Sequence, residues 1–174
     1  MKNSRELKGL GGWLILICFS ILITPPRIIF DTVPVYLEIF SEGYWEDIIN
    51  VDSLDYSPLF ATVIIIEIIF NSMLVFGSVF LLYLFIAKNY LFPWVYIVWI
   101  GTSVIFIPLD AWAFSLFYPS DPMFDPDTLN NFFQSIVTSA VWIPYMLKSK
   151  RVKATFVETF PKDSVFYKIF DNDD

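Results

Sequence analysis

The chain has 174 residues, 56% of them hydrophobic and 20% aromatic, and its mean hydropathy is +0.61. A soluble domain of that size has too little interior to hide so much apolar surface, which excludes the ordinary globular class. A net charge of -7, with no broad basic surface, argues against a nucleic-acid partner. There is no histidine and one cysteine, Cys18, so most acid–base, nucleophile and metal-ligand arrangements are absent; no catalytic residue, cofactor or metal is expected.

In chain order, Lys2, Arg5 and Lys8 precede a first apolar run over residues 11–30, interrupted by Pro25-Pro26-Arg27. Its basic start resembles a leader, but no small-residue cleavage site follows, so it is expected to stay as a first span. Gly11-Gly12-Trp13 at its start reads as an interfacial anchor through Trp13, or as a close-packing point. Residues 31–57 carry Asp31, Glu38, Glu42, Glu46, Asp47, Asp52 and Asp55 among aromatics, with no Lys or Arg. This reads as an external loop with one or two short surface helices. A second span is expected over residues 58–87, opening on Pro58. A tight turn at Lys88-Asn89-Tyr90 leads to a third over residues 91–113, and Pro108 is placed to kink it. A second acidic loop, residues 114–127, leads to a fourth and least apolar span over residues 128–147. After it come Lys148, Lys150, Arg151 and Lys153, and then an acidic tail, residues 157–174.

The charges alternate with the runs. Basic residues flank spans on the cytoplasmic side. They occur before span one, between spans two and three, and after span four; apart from Arg27 both remaining loops have none. The sequence thus predicts an all-α integral membrane protein, a four-transmembrane-helix bundle (residues 1–156) with both termini cytoplasmic. Lys148, Lys150, Arg151 and Lys153 are also placed to meet anionic lipid headgroups.

Three ionisable residues fall in or at the edge of apolar runs, where charge is costly: Arg27, Glu67 and Asp110. Counting helical rise from the start of each run puts Arg27 and Asp110 near the outer boundary, at heights that suit a salt bridge, and Glu67 about 13 Å inward from Pro58. Glu67 and Asn71 share a helix face. Asn131, Gln134, Ser135, Thr138 and Trp142 form a second polar stripe. Arg27, Glu67, Asn71, Asp110, Gln134 and Thr138 are therefore the candidate intramembrane network, and it reads either as a device that fixes helix register or as a proton or ion path.

Several short segments together resemble one family. Gly11-Gly12-Trp13-Leu14, Pro26-Arg27, Glu67 with Asn71, Phe92-Pro93, Asp110, Trp142-Ile143-Pro144-Tyr145 and the stretch from Ser149 to Phe156 look like the bacterial family of domain of unknown function 2569. The resemblance spans nearly the whole chain, and the closing stretch is its most distinctive part. It implies a small four-span bacterial inner-membrane protein and supplies no activity or site residues. The leading expectation is an accessory or scaffold component that binds lipids, a membrane-protein partner or further copies of itself. The alternative is a small oligomeric transporter or channel using Glu67 and Asn71. A membrane enzyme ranks last, because no nucleophile has an evident base.

Overall fold

A backbone that leaves water must satisfy its own N–H and C=O groups, so each apolar run becomes a helix. The computed structural model describes residues 9–156, and among these there are six helices and no strand. They are α1 Trp13–Ser41, α2 Tyr44–Ile49, α3 Pro58–Ile86, α4 Phe92–Ser115, α5 Pro126–Lys148 and α6 Lys150–Thr155. The tail over residues 157–174 and the basic start, Lys2, Arg5 and Lys8, lie outside the described residues.

Three of the helices, α1, α3 and α4, are long and apolar enough to cross a membrane. The protein is a membrane protein with transmembrane helices. The fourth expected span, α5, has the length at 23 residues but not the apolarity.

The first span differs from its expected bounds. Instead of stopping at Pro25-Pro26, α1 runs for 29 residues and contains Pro25, Pro26 and Pro34. In water an interior proline costs a helix about 3 kcal/mol. Membrane helices tolerate it far better, because lipid offers the backbone no competing partner. The first eleven residues of the expected external loop are therefore helix, and one short helix, α2, follows them.

This extension changes the depth scale. At 1.5 Å per residue α1 and α3 are each about 43 Å long, more than the ~30 Å hydrocarbon core needs. Their surplus lies together at one end. There Ile48 of α2 packs with Ala61 and Ile64 of α3 and is flanked by Ile39, Trp45 and Phe60. This knob adds length above the bundle, so Glu67 sits higher than a count from Pro58 suggests. Counted from the opposite end, Glu67 is about 28 Å above Ile86 and Asp110 about 27 Å above Phe92. The two carboxylates share a level, which corrects the expected deeper position of Glu67.

The four long helices alternate in direction. The start of α1, the end of α3, the start of α4 and the end of α5 all meet in one apolar core built on Leu14, Ile17, Leu84, Phe85, Phe92, Tyr96 and Met146. Helix α6 turns back into it. The ring of Phe156, just past α6, stacks on Phe92 with centroids 4.8 Å apart and touches Phe85 at 6.0 Å. Both ends of the described chain are fastened here, where the Gly9 N–H donates to Thr155 Oγ1 at 3.1 Å.

Gly11 and Gly12 lie against the Arg151 guanidinium. A Cβ on Gly11 would come within 3.1 Å of Arg151 Nη1, and Gly12 adopts φ +61°, where a side chain is strained. The glycine pair is thus a close-packing point, while exposed Trp13 meets Trp142 edge-on at 6.0 Å. Arg151 and Lys153 are half-buried, so only Lys148 and Lys150 of the basic cluster are freely exposed.

Candidate functional site

The helices pack in the order α1, α3, α4, α5, and the ring does not close: α1 and α5 hardly approach each other. Two contacts bound the seam between them, the Trp13–Trp142 ring pair at one end and the Arg27–Asn131 hydrogen bond nearer the other. Behind the seam, in the half of the bundle away from the apolar core, lies a cavity of about 470 Å³.

Each helix contributes polar groups to the cavity wall. From α1 come Ser20, Thr24, Arg27, Asp31 and Thr32; from α3, Glu67 and Asn71. Ser103 and Asp110 come from α4, and α5 supplies Thr128, Asn131, Gln134, Ser135 and Thr138. All six residues of the expected intramembrane network therefore line one cavity. Trp142 of the expected α5 stripe does not; it lies below, against Trp13 and Tyr145.

The pairing inside the cavity differs from the expected one. Arg27 does not bridge to Asp110. Its Nε lies 3.5 Å from Asp31 Oδ2, one turn further along α1, and its Nη2 donates to Asn131 Oδ1 at 3.1 Å. Continuation of α1 past the prolines creates this i,i+4 pair. Both side chains are more than half exposed, at 56% and 65%, so the pair is weak and open to competition.

Tyr36 joins the network unannounced. Its hydroxyl donates to Glu67 Oε1 at 3.3 Å and accepts from Asn71 Nδ2 at 2.8 Å. Read as part of an external loop, Tyr36 had no place beside Glu67; on a helix carried through Pro34 it does.

Asp110 has no hydrogen bond or ion pair through its side chain among the described residues. It is close enough to Glu67 for their charges to repel. The cavity thus holds one guanidinium, already paired, against three carboxylates. Asp110 and Thr128 also line a second hollow of about 460 Å³, walled by Asp121 and Asp125 of the second acidic loop. The two hollows share Asp110 and Thr128, so acidic side chains lie between the loop and the Glu67 cavity.

Deeper in, Trp99 closes the floor beside Gly77, and its indole Nε1–H is buried without an acceptor among the described residues. Below Trp99 the bundle is filled by Ile17, Ile21, Leu81, Tyr96 and Ile100, so the cavity ends there.

A family model described as a protein of unknown function (DUF2569) matches residues 7–157. The chain belongs to this family. Neither a curated protein nor a solved structure matches it. This DUF2569 member thus carries a polar cavity lined by three carboxylates and one guanidinium.

Proposed function

We propose that the chain is a four-span bacterial inner-membrane protein with both ends cytoplasmic, and that it serves as a non-catalytic accessory component that binds other membrane components. Two features support α5 as the fourth span. Its polar residues face the cavity, and its opposite face leaves Phe133, Val137 and Val141 exposed, as lipid contact requires. The orientation is supported by Lys88, Lys148, Lys150, Arg151 and Lys153, which share the end where the apolar core lies.

The observation that carries the binding role is the closed floor. A polar cavity that opens at the outer half and stops at a packed apolar core is a pocket, and a size of several hundred Å³ suits a small group or a ligand headgroup. The test is purification in mild detergent at native expression. A reproducible co-purifying protein or lipid is expected, whereas a chain that always emerges alone and monomeric argues against the role.

One observation favours a second reading, a small transporter. Glu67 and Asp110 lie at the end of an acidic approach, as a cation path requires. Transport then needs a second conformation in which the core between Trp99 and Phe92 parts. Ion flux into proteoliposomes, wild type against Glu67→Gln, decides this: background flux in both removes the reading.

A further inference from the structure

The cavity has two chemically distinct zones and a side door. One zone holds Glu67 and Asp110, two carboxylates with no cation beside them among the described residues. Two such groups at one level of a low-dielectric site attract a positive charge strongly. The other holds the exposed Arg27 guanidinium together with Asn131, about 21 Å along α1 from Trp13 and so roughly 6 Å below the level of the two carboxylates. A guanidinium whose partner is a solvent-exposed carboxylate readily takes a phosphate. The side door is the seam where α1 and α5 fail to pack, with Ser20 and Gln134 exposed along it. A soluble solute needs only the acidic approach past Asp121 and Asp125; a lateral gap facing the acyl chains serves a molecule that keeps its tails in the bilayer.

We propose that the cavity binds the headgroup of a zwitterionic amine phospholipid, its ammonium between Glu67 and Asp110 and its phosphate at Arg27 and Asn131, with the acyl chains leaving through the α1–α5 seam. This rests on the reading of the cavity as a pocket and names its ligand class. The order of charges is what selects it. An anionic headgroup without an amine leaves the two carboxylates uncompensated, and a simple cation leaves Arg27 and the seam unused. The polar stripe on α5 becomes the wall against which the glycerol region rests, through Gln134 and Thr138.

The experiment uses the full chain. Lipids retained after mild-detergent purification are quantified against the bulk membrane. Phosphatidylethanolamine is expected to be enriched over phosphatidylglycerol by about tenfold or more, and the enrichment to vanish in Glu67→Gln/Asp110→Asn, which keeps side-chain volume. Arg27→Gln is expected to lose most of it, and Thr138→Phe, which narrows the pocket behind the seam, to reduce it with both carboxylates in place. Thermal unfolding is then followed with phosphatidylethanolamine vesicles, phosphatidylglycerol vesicles or free ethanolamine. Stabilisation of the wild type by the first alone supports the proposal. Equal stabilisation by free ethanolamine, lost in the double variant, overturns the phospholipid assignment and leaves the pocket standing. Bulk-like lipid composition with no stabilisation by any of the three overturns the ligand class altogether, and co-purification of a protein partner then still reports separately on the accessory role.

Discussion

A single hydroxyl joins α1 to α3 at the level of the cavity. Tyr36 donates to one polar group and accepts from another, so Tyr36→Phe strands both Glu67 and Asn71. Hydrogen bonds between membrane helices average about 0.6 kcal/mol and reach about 1.7, so Tyr36→Phe is expected to cost about 1 kcal/mol in a mixed-micelle unfolding assay. A double cycle with Asn71→Leu is expected to be less than additive, since both changes remove one bond. At the outer loop, Asp125 caps α5: its carboxylate accepts from the N–H groups of Thr128 and Asp127 and from the Thr128 hydroxyl. These bonds, the Thr128 backbone N–H first, hold its carboxyl below the usual value of 3.8. A depressed carboxylate stabilises the fold above its unfolded value and loses that contribution as pH falls through its folded one. Thermal stability of the wild type is therefore expected to drop below about pH 4 more steeply than that of Asp125→Asn, which caps without titrating, while Asp125→Ala is weaker by about 1 kcal/mol even at neutral pH. A match between the wild-type and Asp125→Asn pH profiles would count against the cap as the source. Glu67, Asn71 and Asp110 stand out in the sequence because a polar group in an apolar run is conspicuous. Tyr36 does not, since a tyrosine among loop acids is ordinary until its helix is known to continue.

Among the elements, α6 is one of two six-residue helices, and it is seated in the apolar core. Six residues cannot hold a helix alone. What holds this one is the Ser149 hydroxyl, which accepts from Val152 N–H at 3.4 Å, and burial of Val152 and Phe156 in the core. Phe156 is fully buried against Phe85 and Phe92, so Phe156→Ala is expected to cost about 3–5 kcal/mol and to free α6. Proteolysis after the basic cluster, slow in the wild type and fast in the variant, reads this out; equal rates would show that α6 is held by other means. The family-like closing stretch of the sequence is this packed corner, which gives its residues a structural role before any functional one. Helix existence was legible from the apolar runs for all four long helices. The end of the first was not, because Pro-Pro stops a helix in water and the relevant solvent is lipid.

At the scale of the molecule, both described chain ends and the α3–α4 turn share one end, and the two acidic loops share the other. In a Cys18→Ser background, Asp52→Cys is expected to react with a membrane-impermeant maleimide on intact cells, and Ala87→Cys only after permeabilisation. The reverse pattern would invert the topology and the functional readings with it. Charge placement made this plan readable in the sequence. The open ring was not readable, because spacing along one helix says which face is polar and nothing about which neighbour that face meets. That opening also acts on the surroundings. Lipid tails beside Arg27, Asn131 and Gln134 would meet hydrophilic atoms where they need hydrocarbon, so water and headgroups are expected to be drawn down along that flank. A dimple of that kind is expected to cost least where the membrane is thin or already strained, which would give the molecule a preferred address without any direct protein contact.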